Sequence, residues 1–383
     1  MKKILIIHNK YQTLGGEDIA VKNEIEFLSK TYNVKILYFD NEIENYFMQF
    51  FYLLFNYNFQ SYRIVNKAIA SFKPDIIYVH NSWFKASISI FKAIEKSKIP
   101  TYVKIHNYRF FCSRFYIKNS HLQHDNLCKA CGLNNHKRRL FNTYYEGNFI
   151  KSLLLIRYGK KYFSIIKNQE NLKLFVLTKF QKTFLKNLGF NEKRISIFPN
   201  YLEIQNEEVA ERRVQQIVYA GRISKEKGVE ELIKAFLSCS LKGFDLLIIG
   251  TGPQKSSLEK KYSDDNVRFL GEKSNEETKK IIRSSHAVAT ATKLYEGQPT
   301  FLCEASFLRT PSIFPDTGGV KEFFPKETQL IFKQFDEKSL SEKLNLLKNE
   351  DFVREEGNKN YMYIKNKLDQ EKLLNEIEKA GSK

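Results

Sequence analysis

The chain is poor in several residue types that often betray function. Its 383 residues hold five cysteines, eight prolines, three methionines and one tryptophan. A small, odd cysteine count in a long chain argues against a disulfide framework and for reduced thiols. No stretch reaches the roughly 18–20 apolar residues of a membrane-crossing helix. The start, MKKILIIHNKYQ, offers a basic pair and four apolar residues before His8, too few for the core of a secretory leader. A cytoplasmic protein is therefore expected. Low-complexity tracts, internal repeats, a G-x-G-x-x-G fingerprint, a Walker loop and the metal-holding pattern Asp-x-Asp are all missing from the sequence.

Acidic residues are scarce in one half only. Residues 1–200 carry 32 Lys and Arg against 13 Asp and Glu, whereas residues 201–383 carry 30 of each, so the whole net charge of +19 lies in the first half. A surplus serving solubility alone would be spread along the chain. One confined to a single half suits anionic partners: phosphorylated substrates, anionic lipid headgroups or nucleic acid.

What is present is an alternation of short apolar runs with longer helical patterns. Strands are expected at 3–9, 34–39, 75–81, 101–106, 173–178 and 195–200, and again at 216–221, 245–250, 267–271, 287–292, 311–314 and 330–332. Continuous apolar strands separated by helices imply parallel sheets covered on both faces. Two such series imply two doubly wound α/β domains. The break falls in the polar stretch EIQNEEVAERRVQQ, giving domains at 1–203 and 204–365, with residues 366–383 as a terminal helix packing back toward the first. Ligands of such sheets bind beyond the carboxyl ends of the strands, at helix N-termini.

Each chemistry-bearing motif sits at such a strand end. LGGED (14–18) places Gly15 and Gly16 at a strand-to-helix turn, where bare backbone can meet a ligand or simply turn. GRISKEKG (221–228) flanks a helix start with Arg222 and Lys227, a fork and a point charge suited to a diphosphate, or two solvated cations. IIGTGP (248–253) and VRFLGE (267–272) end two further strands and could meet a phosphate or the edge of a base. EGQPTFLCEA (296–305) sets Glu296 in a loop and Glu304 inside the helix that follows Pro299, with amides near Gln298 and Thr300 facing outward. The two glutamates do not share a helix face, so they read as two hydroxyl-holding groups rather than as a facing acid/base pair. TGG (317–319) with Glu322 repeats the glycine turn one strand later.

Taken together, GG-x-E, GR-x4-KG, G-x-G-P, EG-x-P-x5-EA and GG-x2-E, in this order, resemble the retaining GT-B glycosyltransferases of glycosyltransferase family 4. The resemblance runs through nearly the whole chain. It implies two Rossmann-like domains facing a cleft, an acceptor-binding first domain and a nucleotide-sugar-binding second. Arg222 and Lys227 would hold the diphosphate, Glu304 the ribose hydroxyls and Glu296 the donor sugar, with Gly15 and Gly16 lining the cleft near the phosphates. His106, in KIHNYRFFC, matches the strand-end histidine at the donor sugar and would be catalytic with Glu296. Asn200 matches the hinge Pro-Asn, although Tyr201 replaces the usual glycine, and EGQP replaces the more frequent EGFG.

The activity so implied is transfer of a hexose-type sugar from a UDP- or GDP-sugar, with retention of anomeric configuration and no metal or other cofactor. The acceptor would be a saccharide or a polyprenyl-linked lipid in cell-surface polysaccharide synthesis. A nucleic-acid-binding protein and a nucleotide-sugar epimerase are the alternatives; the first lacks any recognised nucleic-acid motif. Two features fall outside the family pattern. Cys112, Cys128 and Cys131, near His121, His124 and His136, read as reduced thiols in a polar insertion, with a zinc site as the rival reading. The uncharged, aromatic-rich stretch 46–59, followed by Arg63 and Lys67, is either a core helix or a helix that dips into an anionic membrane interface, which would place the protein on the inner face of the membrane.

Overall fold

All twelve apolar runs form strands. They are β1 (Lys3–Asn9), β2 (Asn33–Phe39), β3 (Ile76–Val79), β4 (Thr101–Ile105), β5 (Leu172–Val176), β6 (Ile195–Ile197), β7 (Val214–Ala220), β8 (Asp245–Ile249), β9 (Val267–Gly271), β10 (Ser285–Ala289), β11 (Ser312–Pro315) and β12 (Ile331–Phe332). The helices are α1 (Gly16–Ser29), α2 (Tyr46–Phe55), α3 (Phe59–Phe72), α4 (Ile90–Ser97), α5 (Phe149–Asn168), α6 (Lys179–Asn187), α7 (Val229–Ser238), α8 (Lys255–Lys261), α9 (Asn275–Ser284), α10 (Thr300–Phe307), α11 (Glu337–Asn345), α12 (Glu350–Lys367) and α13 (Gln370–Gly381). This computed structural model describes residues 1–10, 16–42, 45–108, 149–203, 213–239, 241–262 and 266–381. Gly15 and the cysteines and histidines of 112–136 lie outside the described residues.

The chain divides into two compact units, Met1–Leu202 with Gln370–Lys383, and Glu203–Asp369. Each contains one six-stranded sheet whose neighbours all pair in parallel. Each strand therefore needs a crossover, which the intervening helices supply.

The first sheet has the order β2-β1-β3-β4-β5-β6. Successive residues of β1 point into two different cores: Leu5 and Ile7 join α3, α4 and α5 residues, while Ile4 and Ile6 join Phe27 and Leu28 of α1 and Leu373 and Ile377 of α13. Full burial of each such side chain is worth about 1.5–3 kcal/mol, and the double coverage explains why the strand reads as an unbroken apolar run. Between β1 and β3 the winding reverses direction, so the loops after these strands diverge and leave a crevice.

The second sheet has the order β12-β11-β10-β7-β8-β9, with its reversal between β7 and β10. Val288 of β10 pairs with Val218 of β7 on one side and Ser312 of β11 on the other. Its core gathers Ile217, Tyr219, Leu246, Ile248, Ala287 and Ala289 beneath α7 and α11. α9 starts with a reciprocal capping box, in which the Ser274 hydroxyl accepts from the Glu277 amide and the Glu277 carboxylate accepts from the Ser274 backbone.

The aromatic stretch 46–59 is not one helix. α2 stops at Asn56, which takes a left-handed conformation, and α3 begins after Asn58, whose side chain accepts from the Ser61 amide. Nor is α2 a core helix: Phe47, Phe50 and Phe55 are exposed, as is Phe59 at the start of α3. Among the described residues no helix is long and apolar enough to cross a membrane.

Candidate functional site

In the second unit, the loop after β7 and the loop after β10 meet at the reversal of strand order. The first carries Arg222 and Lys227, and the second carries Glu296. The Lys227 ammonium donates to Glu296 Oε1 at 2.5 Å, and the Thr292 hydroxyl donates to the same oxygen at 3.0 Å. Burial works to raise the Glu296 carboxyl, but the Lys227 charge and these two hydrogen bonds outweigh it and hold the group below its ordinary range. The pair is only part-covered, the two side chains retaining 30% and 24% of their exposure. Arg222 stands exposed nearby in sequence, its backbone carbonyl accepting from the buried Tyr219 hydroxyl at 2.8 Å.

Two glycines let these loops close on each other. Gly228, with φ +67°, caps α7, and a Cβ there would lie 2.0 Å from the Ala291 carbonyl oxygen just past β10. Gly318, with φ +55°, brings the loop after β11 onto the loop after β10; its Cβ would lie 2.5 Å from the Glu296 carbonyl oxygen. That carbonyl accepts from the Gly319 amide at 2.9 Å. Only a residue without a side chain fits such an approach. The 250–252 turn lies alongside 221–223, with the Ile223 amide donating to Thr251 and the Gln254 amide to Ile223.

α10 starts directly beyond Glu296. Pro299 occupies the N-cap position, one residue earlier than a first-turn proline, and no side chain caps the helix. The amides that open α10, from Thr300 onward, thus lack a side-chain acceptor, and the helix dipole adds positive potential there. Gln298 is buried. Glu304, one turn into the helix, is half-buried. Its carboxyl is pushed up to about 7, chiefly by burial, with Glu276 adding to the rise and Lys279 opposing it. A lysine, an exposed arginine, uncapped helix amides and two carboxylates, all beyond the carboxyl ends of β7 and β10, can hold an anion and hydroxyl donors.

The first unit places its polar groups differently. His106 lies just past β4, and its Nε2 is 3.1 Å from His80 Nδ1, just past β3; the rings stack at 5.4 Å and 24°. His8, at the end of β1, bonds through Nε2 to Asp18 at 2.9 Å, and its ring meets His80 edge-on at 6.2 Å. Beneath them Glu24 of α1 and Lys104 of β4 form a salt bridge with both side chains fully buried. Glu24 also accepts from the Tyr78 hydroxyl at 2.8 Å, and Lys104 donates to the Pro199 carbonyl at 3.3 Å. Burial, then Lys104 and His8, hold His106 well below the ordinary imidazole range; burial, His106, Lys104 and His8 do the same for His80. Gly16 opens α1 with free space where a Cβ would stand. His106, His80, Ser82, Glu17, Asn107 and Tyr162 line a small pocket.

Of the residues singled out in the sequence, Arg222, Lys227, Glu296, Gln298, Thr300 and Glu304 thus fall on the second unit and Gly16 and His106 on the first. His8, Asp18, Glu24, His80 and Lys104 were not anticipated. A signal for His8 and His80 was available, because β1, β3 and β4 each run out in His-Asn, at 8–9, 80–81 and 106–107. The asparagines organise the crevice, Asn81 donating to the Asn9 carbonyl and Asn9 accepting from the Ala86 amide. No group of three or more metal-ligating side chains occurs among the described residues.

Residues 201–368 match the model of a family described as glycosyl transferases group 1. Over 193 residues the chain is 27% identical to TuaC of Bacillus subtilis, named as a teichuronic acid biosynthesis glycosyltransferase; the match takes in 48% of each chain. Over 178 residues it is 28% identical to the capsular polysaccharide biosynthesis glycosyltransferase CapM of Staphylococcus aureus, covering 42% of this chain and 44% of that one. The matched segment therefore spans about half the length of these relatives. The crystal structure of Anabaena Alr3699/HepE in complex with UDP and glucose superposes with a TM-score of 0.70 and 12% identity, covering all of both chains, a likeness of fold.

Proposed function

We propose, from the match of residues 201–368 to the model of the glycosyl transferases group 1, that the chain transfers a sugar from a nucleotide-diphosphate sugar to a saccharide or polyprenyl-linked acceptor in cell-surface polysaccharide assembly. The observation that carries this reading is the Lys227–Glu296 pair set at the strand-order reversal of the second unit, in front of the uncapped N-terminus of α10. Relatives named for teichuronic acid and capsular polysaccharide synthesis support the class of pathway.

In this scheme Arg222, Lys227 and the α10 amides hold the diphosphate. As the bond from the anomeric carbon to the diphosphate oxygen breaks, negative charge grows where those donors already point, which is where electrostatic stabilisation is most effective. Glu304 accepts hydrogen bonds from the ribose hydroxyls, and Glu296, oriented by Lys227 and Thr292, accepts from hydroxyls of the donor sugar. The acceptor oxygen then bonds to the anomeric carbon on the face that the diphosphate left, retaining configuration, and its proton leaves with the diphosphate. In this scheme the first unit binds the acceptor, with His106 meeting hydroxyls in its pocket. On this reading side chains and amides neutralise the developing charge, and the scheme calls for no divalent metal.

Thermal-shift titration with UDP and GDP, followed by a panel of their sugars assayed for hydrolysis and transfer, tests the reading. One nucleotide should raise the melting temperature, and Glu304→Ala should blunt the rise. A protein indifferent to every nucleotide and nucleotide sugar would sink the assignment. The exposed phenylalanines of α2 and α3, beside Arg63, whose guanidinium lies over the Phe59 ring, support docking of the first unit on an anionic membrane surface. Vesicles of anionic lipid should retain the protein at low salt, and Phe47→Ser with Phe50→Ser should release it.

A further inference from the structure

The buried ions of the first unit have no part in the transfer scheme above, and they are costly. Taking a carboxylate and an ammonium out of water costs several kcal/mol each even after relaxation. Glu24 and Lys104 are nonetheless both fully buried, where apolar side chains would pack at least as stably. Resting on the reading that His106 meets substrate, we propose that Glu24 and His80 are positioning residues that fix the tautomer of His106, keeping its proton on Nε2 and leaving Nδ1 as a bare hydrogen-bond acceptor in the pocket.

The inference follows the hydrogens outward from the ion pair. Glu24 Oε1 accepts from Lys104, whose ammonium is also committed to the Pro199 carbonyl. Glu24 Oε2 accepts from the Tyr78 hydroxyl and lies 3.7 Å from His80 Nε2. That ring nitrogen is buried and has no hydrogen-bond partner. A lone pair on it would face the lone pairs of a carboxylate, whereas a proton on it faces opposite charge, so the ring is protonated at Nε2. His80 Nδ1 is then an acceptor, and the nitrogen 3.1 Å away, His106 Nε2, must donate to it. The remaining nitrogen of His106, Nδ1, carries only its lone pair and makes no hydrogen bond with any described residue.

Such a group has a defined preference. It accepts from a hydroxyl, as a sugar presents, and repels a phosphate or carboxylate oxygen, which has no hydrogen to give. The preference lasts only while the rings stay neutral. The groups facing them are His8 on β1, Glu17, Asp18 and Glu24 on α1, Tyr78 on β3 and Lys104 on β4. Burial and the Lys104 charge keep both rings from taking a second proton at neutral pH.

Long-range proton–nitrogen NMR on the histidine-labelled full chain reads the tautomer directly, with His106→Gln supplying the assignment. The wild type should show neutral His106 protonated at Nε2. His80→Phe removes the acceptor and should give mixed tautomers. Should that variant fold poorly, Glu24→Gln with Lys104→Met keeps the volume, removes both charges and should likewise shift the tautomer. Either change should lower transfer by roughly 10- to 100-fold, the range seen when an orienting partner is removed from a metal-binding histidine, with the melting response to nucleotide unchanged. Nδ1-protonated His106 in the wild type, or a tautomer unmoved in both variants, would overturn the proposal. The expected NMR shifts in a protein that turns over no nucleotide sugar would uphold the positioning pair and remove the glycosyl-transfer reading instead.

Discussion

The two units share an architecture of six parallel strands and helical crossovers but place charge at their strand-order reversals in opposite ways. In the second unit the charges remain partly in water. Lys227 and Glu296 keep 30% and 24% of their exposure, and the specificity of the place comes from backbone, through Gly228, Gly318 and the uncapped α10. In the first unit Glu24 and Lys104 have none of theirs, and above them the His80 and His106 rings, held well below the ordinary imidazole range, share a pocket with Glu17 and Asn107. A charged, hydrated crevice suits a charged ligand, whose own hydration must be replaced. One lined by imidazoles, amides, hydroxyls and a carboxylate, which accept and share hydrogen bonds, suits hydroxyls. On the proposed reading, the same sheet topology rule would give an anion site in one half and a polyol site in the other.

The largest expected effect breaks the first unit. Glu24→Ala strands a buried ammonium, and urea unfolding should show a loss of about 3–5 kcal/mol. Glu24→Leu with Lys104→Met should recover most of it, because the pair as a whole is weakly stabilising at best. The equivalent change in the second unit, Glu296→Ala, should cost no more than about 1 kcal/mol, since part-exposed pairs contribute little. Equal losses in the two units would erase the distinction drawn between them.

Activity should rank these positions in reverse. If Lys227 holds the diphosphate as proposed, Lys227→Ala removes a donor to the leaving group, and the turnover of the donor identified by the panel should fall about 10²- to 10³-fold, as for loss of a preorganised oxyanion donor. The melting temperature without nucleotide should barely move. A fall in melting temperature as large as that of Glu24→Ala would show Lys227 to be structural.

The legibility of these two places in the sequence differs for the same reason. Strands buried on both faces are unbroken apolar runs, so all twelve could be read, to within a few residues at their ends. The second unit's site is made of local motifs: 221–228 and 296–304 each hold several of its residues in a few turns of chain, and glycine marks the close approaches. The first unit's cluster draws His8, Glu24, His80, Lys104 and His106 from across a hundred residues, and only the strand order β2-β1-β3-β4 brings them together. Lys104 was hidden inside TYVKIH, where alternation offers no hint that a lysine points inward. The recurrent His-Asn at three strand ends was the available clue. The aromatic run 46–59 could not be resolved by composition, since a core helix and a surface helix of this kind share one pattern until neighbours are known.

The smallest expected effect concerns Glu304, which belongs to the hydrated unit yet behaves like a buried group. Its carboxyl titrates at about 7 because burial disfavours the charge. If Glu304 holds the ribose as proposed, the hydroxyls donate best to its ionised form, so nucleotide binding should favour the carboxylate and lower its pKa in the complex. The sign follows: below about pH 7 the free protein holds a proton that binding must expel, so affinity falls as pH falls, by at most tenfold per pH unit. Above pH 7 this group no longer contributes. Calorimetric titration of the stabilising nucleotide across this range should show the slope in the wild type. Glu304→Gln, which cannot titrate, should flatten it while weakening binding. The nucleotide's own phosphate ionisation is common to both proteins, so the difference between the curves isolates Glu304. Parallel curves would place its carboxylate away from the ribose, and the second unit would then hold its ligand by charge and backbone alone.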